Sequence, residues 1–493
     1  MVAQGARSLA RTAWKVARIA GLVSLSVSMS TAAHAQPSDS PVSGIDRITL
    51  FTAPTIVVKN AQLFDGSGAP PRVGQSILIR GGRIEAIGPD DQIAIPEGAL
   101  VKDVQGAAVA PGFVLMHEHL FYPVEGETYG SMIRSFPPLY LAGGVTTLRT
   151  AGSMTPYADL NSERDIASGD IAGPDIDVTA PFLNGDSKLR FLTDVKRIRS
   201  PKDADRMVRY WADEGATSYK GYMHLTRAQL AAVVAAAHAR QAKVTAHLCS
   251  ITYREAVDMG IDNLEHGFMV SSDFVAGKKP DDCPAGNAVS KSLDQLAVDD
   301  PAMRALQRHL IERRVALTST LTIFETFANG RPMAPQGALD LLIPQLREQY
   351  VTRYSAIQRG GPNVWTRLLP KAMAWEKQFN DGGGLLTAGT DPTGYGGVVP
   401  GYSSTRQMEL LIEAGFDAAG AIKVMTLNGA RYLQRDKDVG SLVVGKRADL
   451  VVFQKGIGTE MKVLPPIAWT MKEGRAFDRE RILSMWKGRV GLQ

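Results

Sequence analysis

A chain of 493 residues with 44% hydrophobic and 21% charged side chains is long enough for a large core, and this balance excludes a disordered or fibrous protein. The formal charge of +5 is mostly a property of the first 35 residues, which hold Arg7, Arg11, Lys15 and Arg18 and no acidic residue, so without them it falls to +1. No Lys/Arg cluster then remains to argue for nucleic acid or an anionic membrane as partner.

Those 35 residues have the layout of a secretory signal peptide: a basic start, an apolar run over 19–27, and Ala33-His34-Ala35 at its end. The run is shorter than the roughly 20 residues a spanning helix needs. The expected location is therefore periplasmic or secreted, with cleavage after Ala35 and no stable membrane insertion. Residues 36–47 read as a polar linker. Short strands follow over 55–60, 76–80 and 83–87, with Gly81-Gly82 as a hairpin turn between the last two. Near the far end, 440–447 leads into another strand over 448–453. These sets contain too few strands to bury a face alone, so 48–108 and 434–493 are expected to form one composite β domain.

The central region, 109–433, alternates strands with amphipathic stretches, the pattern of a parallel α/β sheet. Strand candidates lie at 109–115, 145–149, 176–180, 217–222, 243–247, 263–266, 316–321 and 385–389. That number closes a (β/α)8 barrel, although an open doubly wound sheet is the alternative. Leu230, Val233, Val234 and Ala237 fall at helical spacing within 225–241. Residues 323–382 form a helix-like insertion that would cover a barrel mouth as a lid. Two cysteines, Cys249 and Cys283, are no disulfide framework. Two buried thiols are the expectation, one bridge the alternative.

Four of the eight histidines fall at or just past strand ends: His117, His119, His247 and His266. Catalytic groups converge there in a parallel barrel. In His117-Glu118-His119 the period-2 alternation of an extended strand puts both imidazoles on one side, where they can share an ion. Asp391, in Gly389-Thr390-Asp391-Pro392, adds a carboxylate at the end of the last strand. Lys220 lies within the fourth. Pointing inward and desolvated, it would have a lowered pKa and react with CO2 to give a carbamate able to bridge two cations. Imidazole and carboxylate donors suit zinc.

Taken in order, His117-Glu118-His119, Lys220, His247, Glu265-His266-Gly267 and Gly389-Thr390-Asp391 resemble the metal site of the amidohydrolase superfamily. Residues 110–113, 144–149, 263–267 and 445–451 resemble its imidazolonepropionase-related branch, and within it the lysine-bearing members similar to Xaa-Pro dipeptidases and ochratoxin-type amidases. The resemblance runs from about residue 55 to 453. It implies a distorted TIM barrel with a small composite β-sandwich domain. It also implies His117, His119 and Asp391 on a buried metal, His247 and His266 on a more exposed one, and carboxylated Lys220 bridging two divalent ions, expected to be Zn2+. Hydroxide held by the metals would then attack a substrate carbonyl, with Asp391 as catalytic proton shuttle. The sequence departs from the pattern at Met116, where an acidic residue is frequent; that position is not a ligand.

The expected activity is hydrolysis of a C–N bond in a small molecule such as a dipeptide or an N-acyl amino acid. Arg149, Tyr222, His224, Asn184 and Tyr395 are candidates for holding the substrate, with Arg149 the preferred carboxylate anchor because a guanidinium binds carboxylate in two places. A salt bridge inside the barrel is the competing role for Arg149. A cyclic-amide hydrolase or a (phospho)esterase would use the same site. Deaminases of this fold place a glutamate where Ser250 stands. A non-catalytic periplasmic binding protein is the reading from another class, and it gives no reason for all these ligand types to occur in order. A homo-oligomer is left open.

Overall fold

The computed structural model describes residues 44–125, 128–186 and 197–491. The expected leader lies outside them, as does the linker up to residue 43; its last residues belong instead to a short helix, Gly44–Ile48. No helix among the described residues is long and apolar enough to cross a membrane.

Parallel strands carry the centre of the molecule. In chain order they are β1 (Phe113–Glu118), β2 (Val145–Thr150), β3 (Asp175–Asp177), β4 (Ser218–Gly221), β5 (Lys243–Ala246), β6 (Asn263–Glu265), β7 (Ala316–Ser319) and β8 (Leu386–Ala388). Strands β1–β3 pair as one sheet and β4–β8 as another. Every residue of β1, β2 and β4 is buried, as expected of strands covered on both faces. Between β3 and β4 the ladder is replaced by isolated parallel bridges, Thr179 with Ser218 and Leu183 with Gly221. Between β8 and β1 the backbone N–H groups of Thr390 and Asp391 donate to the His117 carbonyl at 3.2 and 3.1 Å. The Glu118 carboxyl accepts from Thr390 N and Oγ1, both at 2.7 Å. A continuous ladder around the whole ring is not present among the described residues.

Helices return the chain between strands, and their ends follow local chemistry. Arg227–His238 begins at Thr226, whose hydroxyl accepts from Gln229 N while the Gln229 side chain reaches back, a reciprocal cap. The 323–382 insertion is four helices, Leu321–Phe327, Gln336–Leu341, Pro344–Arg359 and Val364–Asp381. The last is no lid for most of its length. Trp375 and Phe379 are fully buried, and Glu376 lies so close to Gly267 that a side chain there would collide with it.

The two chain ends build a single nine-stranded sheet, with strands from Thr49–Thr52 to Ala108–Pro111 interleaved with Leu450–Phe453, Ile467–Lys472 and Arg475–Asp478. The sequence run expected as one strand over 109–115 is divided at Gly112. Ala108–Pro111 pairs antiparallel with Leu450–Phe453, and Phe113 opens β1. A side chain at Gly112 would collide with Thr146, so the hand-over requires glycine. Asp175, at the start of β3, receives Arg435, Arg447 and Lys472, each at 2.7 Å, and Arg447 also meets Asp449 at 2.9 Å. This network fastens the terminal sheet to the parallel strands.

Cys249 and Cys283 form a disulfide, with Cα atoms 4.8 Å apart. The expectation of two buried thiols is therefore corrected. Cys249 follows β5 directly and Cys283 belongs to the long connection after β6, stretches that the sequence separates by 34 positions but the fold brings together.

Candidate metal centre

The alternation of β1 aims His117 and His119 to one side and Glu118 to the other. Three of the four imidazoles are held through Nδ1. His117 Nδ1 lies 2.7 Å from Glu265 Oε2, His119 Nδ1 3.2 Å from the Gly152 carbonyl, and His266 Nδ1 2.9 Å from Thr320 Oγ1. For His117 and His119 such contacts leave Nε2 facing inward, while His266 Nδ1 also lies 3.7 Å from Asp391 Oδ2. Asp391 Oδ1 then lies 3.6 Å from His117 Nε2 and 3.3 Å from His119 Nε2. Ligand atoms of His117, His119 and Asp391 all fall within 4.8 Å of one another. Lys220 Nζ is 3.3 Å from His117 Nε2. The ring of His266 is 4.6 Å from those of both His117 and His247. The structure thus brings all six expected ligands into one cluster.

Two of them occupy unusual backbone. His266 and Asp391 have φ of 68° and 52°, in the left-handed region that non-glycine residues seldom adopt. Such conformations cost free energy and cluster at functional sites. For Asp391 the compensation is visible in the bonds that Glu118 and the His117 carbonyl make to this turn.

The electrostatics suit a cation. Burial lowers the pKa of His117 and His266, and takes His119 to about 4 and His247 to about 3, so the imidazoles are neutral donors. Burial opposes a charged Asp391, yet His117 and the hydrogen bond from His119 hold its carboxyl well below the ordinary range. Burial likewise opposes a charged Glu265, which Arg149 keeps ionised. Lys220 is pushed down to about 8, chiefly by burial, with Glu265 and Asp391 pulling the other way. Neutral imidazoles, an anionic carboxylate and inward-facing nitrogens are the donor set of a divalent-metal site.

The cluster forms the floor of a cavity of about 330 Å³. Of the expected substrate-holding residues, Tyr222 lines it. The others are not among the residues lining it, and the contacts the structure shows for them lie elsewhere. Arg149 is wholly buried away from the cavity, donating to Glu265 Oε1 and the Met116 carbonyl at 2.5 Å each, and so supports His117 through Glu265. Asn184 accepts from His224 N at 2.9 Å, and the two brace one loop. Tyr395 donates to the Thr326 carbonyl and stacks on Tyr350. For Arg149 and Tyr395 a place near a strand end concealed a side chain directed elsewhere.

Sequence reasoning missed Glu265 and Glu118. Period-2 alternation places Glu265 on the face of Asn263, whose amide reaches Thr245 Oγ1 at 3.1 Å and Thr318 Oγ1 at 2.8 Å; that polar inner face was the available signal. The aromatic residues around the cavity carried no comparable signal.

Comparison with known proteins agrees with this centre. The Amidohydrolase family model matches residues 108–489. An N-acyl-D-aspartate deacylase of Alcaligenes xylosoxydans xylosoxydans is 43% identical over 77 residues, 15% of either chain. A dihydroorotase of Lactobacillus leichmannii is 39% identical over 88 residues, 18% of this chain and 19% of its own. The chain therefore matches under a fifth of the length of these relatives. A solved Xaa-Pro dipeptidase with bound methionine in its active site shares the fold with a TM-score of 0.64 at 18% identity, over 86% of this chain and 100% of that one. With a match across most of its length and a histidine–aspartate centre at the strand ends, the chain belongs to the amidohydrolase family, whose members are metal-dependent hydrolases of C–N bonds.

Proposed function

We propose that the protein is a binuclear, zinc-dependent amidohydrolase that cleaves a linear amide in a small substrate. The observation that carries this reading is Lys220 Nζ, 3.3 Å from His117 Nε2 within the histidine–aspartate cluster. An amine titrating near 8 is free base often enough to add CO2. The new N–C bond releases one proton and leaves a carbamate anion with two oxygens to offer. His117, His119 and Asp391 would hold one ion, His247 and His266 the other, with the Lys220 carbamate between them. When bound, the ions supply Lewis acidity toward a carbonyl and lower the pKa of water. Asp391 accepts the proton of the attacking water and delivers it to the departing nitrogen, so amide and water become carboxylate and amine. Glu265 keeps the His117 ring in place throughout.

Lys220→Ala should lose metal and activity together, with partial rescue by short carboxylic acids, as read by metal analysis and amide turnover. Near-normal turnover in that variant would overturn the binuclear reading. A cyclic amide as substrate is the second reading, favoured by the segments shared with dihydroorotases. Turnover of dihydroorotate or a hydantoin ahead of linear amides would select it.

The parallel strands are proposed to close as a distorted (β/α)8 barrel over 109–433, with the terminal sheet curling into a composite sandwich from 48–108 and 434–493. Export, with cleavage after Ala35, rests on the first 35 residues and is supported by the Cys249–Cys283 bridge, since disulfides persist in oxidising compartments.

A further inference from the structure

The cavity above the metal centre is lined by two aromatic groups. One surrounds His119 and His247. Phe121 stacks on His119 with centroids 4.3 Å apart, Tyr129 meets the edge of Phe121 at 5.2 Å, and Tyr222 lies 5.1 Å from Phe182 and 5.0 Å from His247. The other stands beside His266. Phe324 is 5.7 Å from that imidazole and 5.5 Å from Trp365, which is 5.8 Å from Phe327. Among the described lining residues the one lysine or arginine is Lys220, drawn into the histidine cluster and, under the proposed function, an anionic carbamate.

A dipeptide or an N-acyl amino acid brings a carboxylate, which these rings would strip of water and repay poorly. A flat apolar group suits them, because aromatic pairs gain from ring geometry as well as from buried area. The volume of about 330 Å³ is within the range of roughly 300–1,000 Å³ for small-molecule sites. We propose that the substrates are neutral amides with a flat aromatic group on each side of the scissile bond, the acyl ring seated in one aromatic group and the amine ring in the other. This rests on the amide-hydrolase reading above and narrows it from small amides in general to diaryl amides.

The test compares the zinc-loaded enzyme on benzanilide, acetanilide, N-methylbenzamide and N-benzoylglycine. Benzanilide should have the highest kcat/KM, with a loss of about tenfold or more for each ring removed and the lowest value for N-benzoylglycine. Phe182→Leu and Trp365→Leu should each collapse the preference for one ring, and not the same one. Equal or faster turnover of the amides lacking a ring or carrying the carboxylate would overturn the proposal while leaving amide hydrolysis intact. Hydrolysis of no amide would sink the functional reading instead. Calorimetric binding of benzanilide then decides this inference: binding at least about tenfold tighter than acetanilide supports it, and equal or no binding overturns it.

Discussion

Two clusters of charge invite comparison, the metal centre at the ends of the parallel strands and the Asp175 network that fastens the terminal sheet beneath them. In the second, Asp175 receives three cations at 2.7 Å and Arg447 meets a second carboxylate, Asp449. In the first, a carboxylate and four imidazoles converge on a cavity, with the Nδ1 atoms of His117 and His119 committed to protein partners and their Nε2 atoms turned toward Asp391. The first cluster is buried throughout, whereas the second is half-buried at Asp175, Arg435 and Lys472. What separates adhesion from chemistry is where the remaining valence points: into protein at Asp175, into open space at Asp391.

The strongest break in that comparison comes from Asp391→Asn. The amide keeps an oxygen of similar reach, so much of the zinc should stay bound, but it cannot accept a proton at neutral pH. A loss in kcat of about 10²–10⁴-fold is expected, with KM changing far less. Anilides should suffer more than activated esters, whose leaving groups need no proton. Equal losses with zinc present would mean that another residue carries the proton.

Asp175→Asn strikes the other cluster and should spare the chemistry. It leaves three cations short of their shared partner, and a cost toward the lower end of roughly 3–5 kcal/mol is expected because the side chain retains some solvent contact. Its carboxyl is held well below the ordinary range: burial opposes the charge, but Lys472 and Arg447 prevail. A carboxylate depressed in this way stabilises the fold above its unfolded pKa of about 3.9 and loses that contribution as the pH falls toward the folded value. Denaturant unfolding should therefore show wild type losing stability below about pH 4 more steeply than Asp175→Asn, with kcat per bound zinc unchanged at neutral pH. A matching fall in that kcat would show that the two clusters are coupled.

Glu265→Gln tests the boundary between the two roles, because Glu265 touches both His117 and Arg149. Loss of a carboxylate that orients a ligand typically costs about 10–100-fold in metal affinity or activity. Zinc titration should find the smaller effect of the three here. Unchanged affinity would move Glu265 to the purely structural side.

The candidate cluster was legible because chemistry fixes residue types and strand alternation fixes their faces; His117, His119, Lys220, His247, His266 and Asp391 come together in the fold, and His117, His119 and Asp391 are spaced to share an ion. Arg149 was misplaced because a position near a strand end does not tell which way a long side chain turns, and Glu265, more than a hundred residues later in the chain, draws it inward. The division at Gly112 was hidden inside an unbroken apolar run whose two halves serve different sheets. The aromatic lining comes from separate segments, a short strand for Phe121, a loop for Phe182 and a helix for Trp365, and only the fold assembles it.

The Cys249–Cys283 bridge, two residues beyond His247, sets an order of assembly. Before it closes, two thiols are free, one of them two residues along the chain from His247, and thiolates are strong zinc ligands in their own right. After it closes, that competitor is gone and the ion has only its proper donors. Under the proposed function the expected sequence of maturation is oxidation and then metal. Protein reduced before metal is added should trap zinc in an inactive form, whereas oxidised protein should gain activity in step with zinc bound. Adding zinc before or after reductant, and following both quantities, separates the two routes.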